Sequence, residues 1–415
     1  MKKNLVFVIN YFYPDYASTG QLMTELCMHL KNDFNITVIA AQPGYSNETY
    51  KGRSKNIFEE EQWNGLKIIR IRLPKVNKNS KISRAKYIIN YFILANFVLL
   101  KEKNVDLIYT ISQPPIIGGL IGTIGKKIKS SKHVYNIQDF NPEQAAAVNY
   151  TGGISHNIAK ILDKINCSYS DHVIIVGNDM KKTLEKRFGV NHRISHSVIN
   201  NWTDESQIIP LSKENIEVSK FLRKYNLENK FIIMYSGNLG LFYDLENLIT
   251  IATKMKSIHD IHFLYIGEGA SKMKMQEYVT KQDLKNVTFL PYQPKEFIKY
   301  SLNVADAHLV VNQKGIKGVS VPSKIYGVMA AGKPILGVLE QGSEAELLIS
   351  KSNAGFVSEP QDYDHFIENI ILMYNLTNQE RVEMGMRGRS YLEKNLKKEI
   401  SLNKYKETLN MILSK

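Results

Sequence analysis

The chain is poor in cysteine, tryptophan and long apolar runs. Of its 415 residues only Cys27 and Cys167 are cysteines and only two are tryptophans. The cysteines stand far apart, with no C-x-x-C and no neighbouring His cluster. That excludes a disulfide framework and the usual zinc-ligand spacings, and predicts two reduced core thiols. No stretch offers the roughly 20 predominantly apolar residues that a spanning helix needs. The apolar run at residues 5–9 is broken by Asn10 and has no small-residue cleavage site behind it, so it reads as a core strand, not a signal peptide. A G-x-G-x-x-G fingerprint is missing, and the second strand ends in "AAQPG" without an acidic residue, which disfavours a nicotinamide oxidoreductase. The only D-x-D, Asp362-Tyr363-Asp364, sits in a polar stretch near the C-terminus, and the ten histidines do not gather as ligands. No metal or other cofactor is expected.

Acidic charge is also scarce. Lys and Arg number 54 against 40 Asp and Glu, giving a formal net charge of +14. This bears on partners, not on fold. Nucleic acid, an anionic membrane surface and a phosphorylated substrate all match it. No nucleic-acid-binding module is recognisable, so nucleic acid is not expected.

What the chain does have is alternation. With 43% hydrophobic and 23% charged residues it is globular in composition, and it is long enough for more than one core. Short β-rich runs at residues 5–9, 36–40, 67–71, 106–110, 133–137 and 173–176 alternate with helical patterns. After a polar stretch at 200–220 the alternation restarts at 231–235, 262–266, 287–290, 307–311 and 334–338. Near-continuous Val/Ile/Leu runs are the mark of parallel strands covered on both faces. The pattern predicts an α/β protein with two Rossmann-like domains, 1–200 and 201–390; a C-terminal helix, 391–415, is expected to pack back on the first. Residues 45–62 read as a long loop. Residues 81–102 read as a helix with a basic flank (Lys81, Arg84, Lys86) and an aromatic face (Tyr91, Phe92, Phe97). Either it packs on the sheet, or this flank and face meet a membrane interface.

Chemistry is expected where strands end in glycine turns. Ser18-Thr19-Gly20 opens a helix after the first strand, a place for anions. In the second half Ser236, Gly237, Asn238 and Gly240 follow one strand, and Gly267, Glu268 and Gly269 the next. The densest stretch is "KGIKGVSVPSKIYGVMAAGKP", residues 314–334. There Ser323, Lys324 and a helix start can clamp a diphosphate whose charge grows as a sugar bond breaks. Lys314 and Lys317 are further available cations. In the first half Gln138, Asp139 and Glu143 lie just past a strand, and Asp139 can orient or deprotonate a hydroxyl. Glu344 and Glu346 follow the last strand of the second series, where one can accept hydrogen bonds from a ribose. Asp139 and Glu346 can equally be carboxylates of helix starts.

Together, "YFYPDYASTGQLMTEL", "NITVIAAQPGY", "IIMYSGNLG", "FLYIGEG", "NVTFLPYQPKEFIKYSLNVADAHLV" and "VPSKIYGVMAAGKPIL" resemble the GT-B glycosyltransferases. The likeness is to the family 4 enzymes of bacterial capsule, O-antigen and exopolysaccharide synthesis, and it covers nearly the whole chain. It implies two Rossmann-like domains facing each other across a cleft. It also implies retention of anomeric configuration without a metal, and a nucleotide-sugar donor held mainly by the second domain. By the same resemblance Gly20 lies near the donor phosphate and Asp139 near the acceptor side. Gly237 and Asn238 match the phosphate turn, and Gly267 and Glu268 the following strand end. Leu290 and Pro291 line the base pocket, Ser323 and Lys324 form the donor loop, and Glu346 is a downstream acid. The chain departs from the family's glutamate pair, which would fall at Val319 and Gly327, and from the usual arginine, replaced by Asn238. The expected reaction is transfer from a UDP-sugar to a lipid-linked glycan by a cytoplasmic enzyme peripheral to the inner face of the membrane. Rival readings are a nucleotide-sugar epimerase on the same fold and an inactive nucleotide-sugar-binding scaffold.

Overall fold

The computed structural model describes residues 2–15, 18–44, 55–76, 80–148, 154–191 and 193–415. The chain forms two compact units: residues 1–146, 151–200 and 401–415 make the first, and 147–150 with 201–400 the second.

The first unit contains β1 (Asn4–Val8), β2 (Asn35–Ala41), β3 (Phe58–Trp63), β4 (Leu66–Ile71), β5 (Leu107–Ile111), β6 (Lys132–Ile137), β7 (His172–Ile175) and β8 (His196–Val198). They form one sheet in the order β3-β4-β2-β1-β5-β6-β7-β8. All neighbours are parallel except β3, which runs antiparallel to β4. The second unit contains β9 (Phe231–Ser236), β10 (Ile261–Ile266), β11 (Val287–Leu290), β12 (Ala307–Val311), β13 (Ile335–Val338) and β14 (Gly355–Ser358). Their order is β11-β10-β9-β12-β13-β14, parallel throughout. Central strands such as β5 and β10 are buried along their whole length, as parallel strands under helices must be. In each sheet the direction of winding reverses once, between β1 and β5 and between β9 and β12. Open α/β sheets bind ligands outside the carboxyl ends of the strands at such a reversal.

Two sequence expectations change. Residues 58–62 are not loop but most of β3, whose "FEEEQW" pairs with β4 from Phe58↔Ile71 to Trp63↔Leu66. It is an edge strand with half-exposed faces, so it lacks the apolar run that marks an inner strand. Of the rest of that stretch, 45–54 lie outside the described residues and 55–57 belong to no strand or helix. The second change concerns the Lys81–Lys101 helix, started by Ser80, whose side chain accepts from the Ser83 N–H. Tyr91, assigned above to the aromatic membrane-facing side, is fully buried with Ala95, Val98 and Leu99 against Val6, Val8 and Ile39. Helical geometry turns this row inward, and Phe92 is only half-exposed. Arg84, Lys86 and Phe97 are exposed. The Lys81 side chain lies outside the described residues.

Candidate active site

At the reversal of the second sheet, three strand ends meet through their backbones. Gly237 follows β9 and Gly267 follows β10, both at φ +145°, a conformation that glycine adopts far more readily than L-residues. The Gly237 N–H donates to the Ile266 carbonyl and the Gly267 N–H to the Leu290 carbonyl, each at 2.9 Å. A Cβ on Gly267 would stand 1.9 Å from the Gly237 oxygen, so the two turns are in contact. The Leu239 N–H donates to the Glu268 carbonyl at 2.9 Å. Tyr292, after Leu290 and Pro291, sends its hydroxyl toward the same carbonyl at 3.4 Å. Gly237, Asn238, Gly267, Glu268, Leu290 and Pro291 thus share one sheet edge.

Lys324 reaches this edge from the other side of the reversal. It is the first residue of the Lys324–Ala330 helix, with Ser323 at the cap making no side-chain capping bond. The helix is so short that the side-chain charge, not the macrodipole, dominates there. Lys324 Nζ donates to the Tyr235 hydroxyl at 2.8 Å. It stands 4.1 Å from the Tyr235 ring centre and 4.0 Å from that of Tyr243. Its Cε lies 3.5 Å from where a Gly237 Cβ would be. Lys324 makes no ion pair among the described residues, and burial pulls its pKa down to about 7. An ammonium without a carboxylate beside two glycine turns can receive an anion. Val319 is buried, and a Cβ at Gly327 would make an ordinary 3.7 Å contact with Leu302.

The comparisons identify a known domain within the second unit. Residues 218–391 match the family described as glycosyl transferases group 1. The chain carries a group 1 glycosyltransferase domain. It is 24% identical over 414 residues to the probable glycosyltransferase WbjE of Pseudomonas aeruginosa, covering 99% of this chain and 98% of that protein. It is 22% identical over 419 residues to the "Putative colanic acid biosynthesis glycosyl transferase WcaI" of Escherichia coli K12, covering 97% and 98%. Its fold superposes on Anabaena Alr3699/HepE, solved in complex with UDP and glucose, with a TM-score of 0.73 at 12% identity, covering 99% and 100%. The protein is therefore a glycosyltransferase with the GT-B fold.

In this glycosyltransferase the loop after β12 is tied down by a carboxylate. Glu340 accepts from the Gly315 and Lys317 N–H groups, each at 2.9 Å. The Gln313 N–H donates to the Phe242 carbonyl at 2.8 Å, linking that loop to the turn that carries Tyr243. The Lys317 ammonium bonds the Gln341 carbonyl. Glu346 serves its own helix: it accepts from the Gly342 N–H at 2.8 Å and the Ser350 hydroxyl at 2.5 Å. No described contact joins it to Lys324.

The first unit of the glycosyltransferase builds its strand ends differently. The Ser112 hydroxyl, just past β5, accepts from the N–H groups of Gln138 and Asp139 at 3.1 and 3.3 Å. Gln144 donates to the Asp139 carboxylate at 3.3 Å. Beneath, Asn136 donates to the hydroxyls of Tyr109 and Tyr405 at 2.8 and 2.6 Å and accepts from Gln138 at 2.6 Å. Asp139 lies before the Asn141–Ala147 helix, which Arg187 anchors through Glu143. Gly20 sits in the Ser18–Leu30 helix, where a Cβ would stand 3.1 Å from the Tyr11 carbonyl. Sequence reasoning missed Tyr235, Tyr243, Ser112 and Glu340. For Tyr235 the available signal was a polar aromatic closing the apolar run "FIIMY" directly before the glycine turn.

Proposed function

We propose that this glycosyltransferase passes a sugar from a UDP-sugar to a lipid-linked glycan acceptor in surface polysaccharide synthesis, retaining anomeric configuration and using no metal ion. The observation that carries the reading is Lys324, a cation without a carboxylate partner, held against the Gly237 turn at the sheet's reversal. When the bond between the sugar and the diphosphate breaks, negative charge grows on the leaving oxygens. Preorganised donors and a fixed cation stabilise that charge without reorganisation. The acceptor hydroxyl forms the new bond to the sugar as the bond to the diphosphate breaks, its proton passes to the departing diphosphate, and Asp139 orients that hydroxyl. The UDP and glucose in the HepE complex and the colanic acid assignment of WcaI support the donor and product class.

A thermal-shift screen across UDP-, GDP-, dTDP- and CMP-sugars tests the donor, because a ligand that binds only the folded chain raises the melting temperature. Stabilisation by UDP-sugars is expected, and none by any nucleotide sugar would sink the reading. Turnover should survive excess chelator. Conversion of the donor without acceptor would instead identify an epimerase.

We also propose that the enzyme works peripherally at the anionic inner face of the membrane. The Lys81–Lys101, Ile117–Lys129 and Ile154–Tyr169 helices pack side by side on the first sheet. They expose Ile89, Ile93 and Phe97 on one, Ile128 on the next and Ile158 and Ile161 on the third. Asp163 is the only acidic residue in the three, and it is buried against Arg187. Isoleucines among lysines with no exposed acid suit an interfacial surface. Among the described residues no helix is long and apolar enough to cross a membrane. Co-sedimentation with phosphatidylglycerol vesicles at low salt, weakening as salt screens the charges, is expected. No binding at low salt ends this part.

A further inference from the structure

Lys324 does not reach the glycine turn unaided. A lysine side chain is long and flexible, and holding it in one place costs up to about 2 kcal/mol of rotamer freedom. Here two rings fix it. Tyr235 is the penultimate residue of β9 and is wholly buried. Its hydroxyl accepts from Lys324 Nζ and donates to the Asn238 carbonyl, both at 2.8 Å. One phenol thus joins the cation to the turn it serves. Tyr243 comes from the short turn Leu241–Tyr243 that follows and offers its face to the same ammonium at 4.0 Å. The two rings stand 6.1 Å apart with planes tilted by 58°. Tyr235 is itself backed by its cross-strand partner Tyr265, which stacks on Phe289 at 5.3 Å. The cage is therefore braced by a row of aromatics across β9, β10 and β11.

We infer that Tyr235 and Tyr243 are positioning residues for donor binding: they hold the Lys324 ammonium at the Gly237 turn, aimed at the diphosphate, in the role the missing arginine at Asn238 leaves open. The inference rests on the donor reading given above. An ammonium has three N–H donors. One is used on Tyr235, and the rings attract the charge through their faces without taking up the other two. The cage fixes the cation and leaves it donors for phosphate oxygens, which a carboxylate partner would not do.

The test is a double-mutant cycle read by calorimetric titration with UDP, and with GDP and dTDP where UDP is not bound. Tyr243→Leu should weaken nucleoside diphosphate binding about tenfold, the equivalent of about 1.4 kcal/mol. Tyr243→Phe, which keeps the ring, should stay within about threefold of the parent, since less than 1 kcal/mol is at stake. Tyr235→Phe should raise KM for the donor more than it lowers kcat. In a Lys324→Met background, Tyr243→Leu should have no further effect, because its contribution runs through the cation. An equal loss with and without Lys324, or no loss in Tyr243→Leu, overturns the cage while leaving the donor reading intact. If the unaltered enzyme binds none of the three diphosphates, the donor reading fails and the cage falls with it.

Discussion

Arg187 in the first unit of this glycosyltransferase and Lys324 in the second are both well-fixed cations, and the two are treated in opposite ways. Arg187 in the first unit has a side chain only 1% exposed, against carboxylates of Glu143 at 2.5 Å and Asp163 at 2.7 Å. The Phe140 ring lies 4.3 Å from the guanidinium carbon. Burial works against its charge, but the bonds to Glu143 and the attraction of Asp163 win, so its pKa is raised. Lys324 in the second unit has rings and a phenol instead of carboxylates, and burial lowers its pKa to about 7. A buried charge neutralised by its neighbours is committed to the fold. One left with polarisable neighbours only is stabilised further by an arriving anion. On this contrast Arg187 is held as part of the fold, and Lys324 is the cation we propose for the donor.

The largest effect expected of breaking the contrast is on the structural side. Arg187→Met leaves Asp163 buried and unpaired and should cost roughly 3–5 kcal/mol, measured by urea unfolding. Lys324→Ala should leave the urea midpoint unchanged or raised. Its turnover should fall roughly 100- to 1000-fold, the loss seen when one preorganised donor is removed, measured as kcat under saturating donor. A pH series sharpens the difference. The depressed pKa of Lys324 means that the unfolded chain binds its proton more strongly between about pH 7 and the ordinary lysine range. Its contribution to stability therefore rises with pH across that window. Donor affinity should move the other way, falling as pH rises above about 7, by at most about tenfold per unit. Lys324→Arg, charged throughout, should flatten that slope in calorimetric titrations. The smallest effect is expected from Tyr405→Phe, which removes one hydroxyl from Asn136 and should cost about 1 kcal/mol in the same urea series.

How far the sequence was readable follows from the same physics. Inner strands such as β10 and β12 announce themselves, because a strand covered on both faces must be apolar throughout. The expected run at 307–311 matches Ala307–Val311 residue for residue. Of the four edge strands β11 was read, at 287–290, but β3, β8 and β14 were not, since a strand with an exposed side needs no continuous apolar run. The glycine turns could be read because their backbone demands that residue type. The surroundings of Lys324 could not. Tyr235 lies 89 positions away, and only the reversal of the sheet brings the two together. Tyr91 was misassigned because aromatic content says nothing about which side of a helix turns inward. Glu346 drew notice as an acid after a strand, and the structure gives it to Gly342 and Ser350.

The Asn136–Tyr405 bond has a consequence for biosynthesis. The two residues are 269 positions apart and belong to the same unit, with the whole of the second unit translated between them. At about 5–20 residues per second, a ribosome needs roughly 10–50 s to travel from the one codon to the other. For that interval the nascent first unit must wait with Asn136 and the neighbouring Tyr109 hydroxyl uncovered, and its polar interior is closed by the Lys398–Leu413 helix, which is completed after the second unit.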